Sequence, residues 1–244
     1  MKKCLSLSFI ALTLCSVALA QDALSWKPGI KTLIVGGGSS HDFEKYFHRA
    51  DQPTLEAVGA SVNYTTNIDL AASEAKNAKV LYLSQNQTTA NAELRKTIME
   101  WPSSKGMLLV HPALWYNWKD WPQYNSQMIG GGAKSHDKYG EFEVTVDKPN
   151  HPLTKNVPAQ FKISDELYHF EKDPSGSQIE VLATGKNLVS GQSFPVLWIV
   201  HRTLPNQTDE QKIVCITLGH DDASHSHPAY KQILQNSWAW AAGK

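Results

Sequence analysis

Four apolar runs punctuate the first half of the chain, and a stretch with helical spacing follows each of the first three. Residues 31–35, 60–65, 79–83 and 106–110 read as strands. Their apolar positions are nearly continuous rather than alternating, the pattern of strands covered on both faces. Between them, residues 42–58, 71–77 and 90–101 read as helices, and the last is amphipathic and stopped by Pro102. This alternation predicts an α/β fold: a doubly wound, mostly parallel sheet with helices on both faces. Beyond His111 the pattern loosens. Residues 113–132 are rich in Trp, Tyr, Asn and Gly without a clean period. Residues 141–146 alternate and predict an edge or antiparallel strand. Residues 161–170, 180–183, 195–200 and 212–218 predict further strands, and 228–242 a closing helix. No repeat, low-complexity stretch or linker divides the chain, so residues 21–244 form one expected domain.

The N-terminus reads differently. Lys2 and Lys3 precede an apolar run over 5–17, and Ala18-Leu19-Ala20 is a small-x-small cleavage triplet. Residues 1–20 are therefore expected to be a secretory signal peptide. The run is too short for a comfortable membrane span. The expected product is periplasmic or secreted from a bacterium, with no membrane association after cleavage. Cys4 and Cys15 leave with the signal, and Cys215 remains, so no internal disulfide is expected. The whole chain balances 23 Lys+Arg against 23 Asp+Glu. Losing the two lysines leaves a slightly acidic product, which argues against nucleic acid and anionic membranes as partners. All 10 histidines stay.

Ligands of a doubly wound sheet bind outside the carboxyl ends of its strands, and polar residues recur there. The first strand ends in Gly36-Gly37-Gly38 and then His41-Asp42, the fourth in His111, and the last in Gly219-His220-Asp221; Asp165-Glu166-Leu167-Tyr168 is a further polar cluster. The glycines lack the G-x-G-x-x-G and P-loop patterns, so no nucleotide is expected. They allow a tight turn and leave room for a ligand or a neighbouring loop. His48 is expected to cap or pack on a helix surface. His111 stands where some hydrolases place a strained nucleophile, but no Ser or Cys is there and no G-x-S-x-G occurs. Imidazole and carboxylate chemistry remains. His111, Glu166, His220 and Asp221 are candidate catalytic groups. His41, His111 and His220 are also candidate ligands of a divalent metal such as zinc. The competing reading has these histidines capping strand ends. Trp115 and Tyr116, in the aromatic stretch after His111, are candidate platforms for a sugar. Gly37, Gly38, His41, Asp42 and Tyr168 complete the expected substrate-binding set.

Several of these segments together resemble one family. Gly36-Gly37-Gly38 with His41-Asp42-Phe43, the strand ending at His111, Met128-Ile129-Gly130-Gly131 with His136, and His151-Pro152-Leu153-Thr154 carry the resemblance. So do Asp165-Glu166-Leu167-Tyr168, Leu218-Gly219-His220-Asp221 and the ending Trp238-Ala239-Trp240-Ala241-Ala242-Gly243. The ordered set resembles the ThuA-like, or trehalose-utilisation, family. The resemblance implies a flavodoxin-like fold of the class I glutamine amidotransferase type without its nucleophilic cysteine, with His111 about where that cysteine would stand. It also implies a role in sugar metabolism. One departure is a longer loop at residues 204–211 after His201-Arg202-Thr203, expected near the site.

Two functions compete. The first is an exported enzyme, a hydrolase, lyase or isomerase, acting on a sugar or oxidised sugar derivative by acid-base or metal-assisted chemistry. The second is a non-catalytic carbohydrate-binding protein. A small carbohydrate is the expected partner of either. A nucleotide or flavin binder would rest on the glycines alone.

Overall fold

The computed structural model describes residues 23–244, so the expected signal peptide lies outside the described residues. Strands β1 (Ile30–Gly37), β2 (Ala60–Thr65), β3 (Val80–Gln85), β4 (Gly106–Val110) and β11 (Lys212–Ile216) form a parallel sheet in the order β2-β1-β3-β4-β11. This is the strand order of flavodoxin-like sheets. Successive residues face opposite sides, and both sides are dry. Ile34, Tyr82, Leu108 and Val214 pack with Phe47, Ile233, Leu234 and Trp238 on one face. Leu33, Leu81, Met107 and Cys215 pack with Ala71, Leu94 and Ile98 on the other. The first face is covered by a π-helical turn (Glu44–Ala50) running into α1 (Asp51–Glu56), and by α5 (Pro228–Ala242); the second by α2 (Ile68–Glu74) and α3 (Ala92–Met99). Asn67 and Asn91 cap α2 and α3 by accepting backbone N–H groups of the first turn.

Four antiparallel strands extend the sheet beyond β11: β10 (Ser193–His201), β9 (Gln178–Lys186), β6 (Gly140–Val146) and β7 (Gln160–Asp165). Strand β6 is antiparallel, as its alternation predicts, but β7 is the edge. A separate two-stranded sheet pairs β5 (Gly131–His136) with β8 (Tyr168–Lys172).

Three expectations need correction. The single strand expected over 161–170 is two strands in two sheets. The chain breaks at Asp165, whose carboxylate takes the next backbone N–H, that of Glu166, at 2.7 Å and so turns the chain out of the ladder. Strand β5 and the short helix α4 (Asp222–Ser226) lie where no element is expected. The 204–211 loop is not near the strand ends that gather the polar motifs. Because β10 runs antiparallel to β11, the loop lies at the amino ends of the parallel strands, where Gln207 accepts from Ser103 N–H and Gln211 donates to Trp101 O.

Candidate functional site

Four loops at the carboxyl ends of the sheet carry one donor each to a common point. The turn after β1 brings His41, the end of β4 brings His111, the β7–β8 break brings Glu166, and the extension of β11 brings His220. His41 Nε2 lies 3.1 Å from His111 Nε2 and 3.1 Å from His220 Nδ1. Glu166 Oε2 lies 3.2 Å from His220 Nδ1 and 3.8 Å from His111 Nε2. All four ligand atoms lie within 4.8 Å of one another.

Two of the donors, His111 and His41, are held from behind. His111 adopts φ +47, a left-handed conformation uncommon for a side-chain-bearing residue, at the junction of β4 and a 3-10 turn. Its Nδ1 is 2.5 Å from the Thr217 carbonyl. A carbonyl only accepts, so Nδ1 carries the proton and Nε2 presents a lone pair to the cluster. His41 Nδ1 lies 2.6 Å from Ser40 Oγ. The glycines before it bring the loop close to its neighbour: a Cβ on Gly38, at φ +138, would fall 1.7 Å from Asn86 Oδ1. They make room for an adjoining loop, one of the two roles expected of them.

The electrostatics divide the cluster. Burial and then the His220 charge push the His41 pKa down to about 4. Burial, and then His41, hold His111 well below its ordinary value. His220 is raised by its hydrogen bond to Glu166, against the effect of burial. Burial works against ionisation of Glu166, but the His220 hydrogen bond and the surrounding imidazoles outweigh it and hold the carboxyl below its usual range. Burial thus favours the neutral form of His41 and His111, while the His220–Glu166 contact favours the charged form of both its partners.

The donor set fits a zinc-type ion. At Zn–N distances of about 2.0–2.1 Å, the edge of a tetrahedron is about 3.3 Å. Three separations, 3.1, 3.1 and 3.2 Å, fall just below that value, and a fourth, 3.8 Å, lies above it. A proton on His41 Nε2 would serve one contact at a time, whereas one cation would satisfy all four donors. His111 and His41 also have the fixed rear partners usual for ligating imidazoles.

The cluster opens on a cleft of about 270 Å³, lined in part by Ser40, Asn86, Trp115, Asn117, His136 and Tyr168. Trp115 meets Tyr168 edge-on at 5.3 Å. The Tyr168 hydroxyl lies 3.0 Å from His111 Nε2, and burial pushes its pKa well up, so it is a donor and not a base. His136, absent from the expected site residues, stands on the wall with Nδ1 donating to Asp137 O at 2.7 Å.

Other expected site residues lie elsewhere. Asp221 caps α4, accepting from Ala223 and Ser224, and lines a neighbouring recess beside Asp42 rather than the cleft. Asp42 is exposed and accepts from Lys45 N–H at 3.0 Å. Gly37 and Gly38 line another recess with Tyr64 and Gln87. Tyr116 packs on Gly132 and under the Lys134 ammonium. Trp118, Trp121 and Tyr124 of the aromatic stretch are core residues. His48 pairs with Glu44 and stacks on Tyr64, a surface role as expected. Cys215 is buried in β11, where burial raises its thiol pKa well above the ordinary value, so it is an inert core thiol.

Of the buried partners of the cluster, the sequence pointed to Asp165 and His225 only as neighbours of the motifs, and to Asp51, Tyr82 and Tyr230 not at all. Asp165 sits behind Glu166, and burial pushes its pKa up to about 6, partly offset by the Gly219 and Glu166 N–H groups. His225, Asp51, Tyr82 and Tyr230 form a second buried group. Asp165 carried a signal, since it adjoins Glu166 in the quoted motif. Asp51 carried none, because it lies within a helical run.

Fold and centre together define a flavodoxin-like α/β protein whose strand ends converge on a histidine–carboxylate cluster. The model of the ThuA family, described as trehalose utilisation, matches residues 31–241, and the chain belongs to that family. Its role is accordingly one in carbohydrate utilisation. The fold is similar to that of a ThuA-like protein from Parabacteroides merdae, at 20% identity and TM-score 0.74 over 89% of this chain and 91% of that one. A ThuA-like protein from Bacteroides uniformis is similar at 20% identity and TM-score 0.69, over 91% of this chain and 94% of that one. A glutamine amidotransferase from Thermotoga maritima shares the fold at 10% identity and TM-score 0.53, over 88% and 99% of the two chains. No curated protein matches.

Proposed function

We propose that the chain is an enzyme acting on a sugar or an oxidised sugar derivative, with a divalent ion held by His41, His111, His220 and Glu166. Zinc suits this nitrogen-rich donor set best. The observation that carries the reading is the meeting of three imidazole nitrogens and one carboxylate oxygen within 4.8 Å at the floor of an aromatic-walled cleft. Such an ion supplies Lewis acidity toward a carbonyl or hydroxyl oxygen.

The chain's own residues do the rest. Trp115 offers a flat face to the C–H face of a sugar ring. Asn86 and Asn117 offer amides on the cleft wall. Tyr168 donates from its hydroxyl. With Nδ1–H bound to the Asp137 carbonyl, neutral His136 keeps a lone pair on its other nitrogen. It is therefore the wall group suited to moving a proton. Asp221 is occupied as a helix cap and is not part of this chemistry. The reading includes export, with residues 1–20 removed, which N-terminal sequencing of the mature protein tests.

The test pairs metal analysis of the purified protein with assays on trehalose, other disaccharides and their oxidised forms. Product formation that stops with chelator and returns with zinc is expected. Turnover by metal-free protein that ignores chelator removes the ion from the reading. Calorimetric sugar binding with no product from any sugar replaces the enzyme with a binding protein.

A further inference from the structure

Behind the four donors lie buried charged groups that this chemistry does not use. Asp165, 1% exposed, accepts Glu166 N–H on Oδ1 at 2.7 Å and Gly219 N–H on Oδ2 at 2.8 Å. Also bonded to Gly219, but at its carbonyl, is His225, 2% exposed, with Nε2 3.0 Å from Gly219 O and Nδ1 2.7 Å from Asp51 Oδ1. A carbonyl and a carboxylate both accept, so both ring nitrogens carry hydrogen and the ring is an imidazolium. The other oxygen of buried Asp51 takes the hydroxyls of Tyr82 at 2.6 Å and Tyr230 at 3.1 Å.

The two peptide groups that flank Gly219 are thus gripped at opposite poles. A carboxylate holds the N–H of one, and an imidazolium holds the C=O of the other. Gly219 itself has φ +119, a conformation that favours glycine. The next residue is His220, and the residue after Asp165 is Glu166. Their donor atoms stand 3.2 Å apart.

We propose that Asp165 and the Asp51–His225 pair are positioning residues of the centre, fixing the Gly219–His220 and Glu166 backbones so that both donors are assembled before an ion arrives. The proposal rests on reading the four donors as a ligand set. Stability alone gives weak reason for the buried ion pair, because well-packed apolar replacements of such pairs are often neutral or stabilising. Preassembly does give a reason, since donors already fixed lose less freedom on binding.

The test measures the zinc dissociation constant of the metal-free full chain by competition with a fluorescent chelator, and Tm on the same samples. The variants are Asp165→Asn, His225→Gln and, as a control, Ile98→Ala. Ile98 is buried near the end of α3, in the core cluster on the α3 face of the sheet, and does not line the cleft. The expected result is zinc binding weakened by roughly 10–100-fold in Asp165→Asn and His225→Gln, with Ile98→Ala lowering Tm and leaving the constant unchanged. Wild-type affinity in both positioning variants overturns the proposal. So does a loss in all three that merely follows Tm. If Asp165→Asn does not fold, His225→Gln decides alone from the other side of Gly219. A wild-type chain that binds no zinc overturns the ligand reading itself, an outcome visible before any variant is made.

Discussion

Zinc added to the metal-free chain should raise its Tm, and the donor set allows the size to be worked out. An ion that binds only the folded chain stabilises it by about 2.7 kcal/mol when present at 100 times its dissociation constant. For a chain of this length, each kcal/mol moves Tm by about 2–4 °C. The expected rise is therefore roughly 5–11 °C. His220→Ala removes one of the four converging donors. Zinc binding to four-donor sites is worth about 10–16 kcal/mol, or roughly 2.5–4 kcal/mol per donor. The variant should thus bind about 100–1,000-fold more weakly. At the zinc concentration that shifts wild type, its Tm should move by less than about 2 °C. Scanning calorimetry after exhaustive chelation and dialysis measures both. Magnesium serves as the control, since a nitrogen-rich set suits it poorly. An unchanged wild-type Tm at millimolar zinc refutes the reasoning, and so does an equal shift in His220→Ala.

Three further outcomes are expected. Burial opposes protonation of His225, but the Asp51 carboxylate and Gly219 carbonyl outweigh it and raise its pKa. Stability from this group is fully present below about pH 6.5 and is lost as pH rises through the higher folded value. Urea midpoints of the metal-free wild type should therefore lose a contribution above pH 6.5 that His225→Gln lacks; parallel pH profiles would contradict this. At His111, with φ +47, metal-free His111→Gly should be more stable than His111→Ala by about 1 kcal/mol in urea, because glycine accepts the left-handed backbone. Equal stabilities would mean the bend carries no strain. Finally, a Cβ on Gly106 would lie 2.3 Å from the Ala241 carbonyl oxygen and 2.4 Å from its Cβ. Gly106→Ala must displace α5 and should cost about 1–3 kcal/mol, read as a Tm lowered by several degrees; an unchanged Tm would show that α5 docks more loosely than this contact implies.

The parallel half of the fold was legible because its central strands are buried on both faces, which leaves unbroken apolar runs such as residues 107–110 and 213–216. Strand β5 was not legible, because Gly131-Gly132-Ala133 is buried by close backbone approach rather than by large side chains; a Cβ on Gly131 would sit 2.1 Å from Glu171 O. Residues 161–170 looked like one strand because both halves are strand-like. At the break the Asp165 carboxylate takes the N–H of its neighbour Glu166 and that of a glycine 54 positions away, and no local pattern carries the second bond. His41, His111 and His220 were legible as strand-end residues, and Glu166 as a member of a polar cluster within an expected strand. Their companions were not distinguishable from them: Asp221 and Asp42 occupy the same kind of strand-end position, and only hydrogen bonding shows that they serve as caps. Trp118 and Trp121 were misleading for a similar reason, since a loop rich in aromatics can fold back into the core.

The centre is built against local stability in two places, and both serve the same four atoms. A left-handed, non-glycine residue costs about 1–3 kcal/mol, and the chain places one at His111, where the bend presents the ring to the cleft. The rear nitrogen is then committed to the Thr217 carbonyl, so what the bend presents is a lone pair of fixed direction. At Gly219, opposite buried charges hold adjoining peptide groups to fix a second imidazole. A cleft that only adhered to sugar through Trp115 would need neither device. Strain and buried charge that converge on three nitrogens and one oxygen argue for chemistry at that point, and for an ion as the group that satisfies all four donors at once.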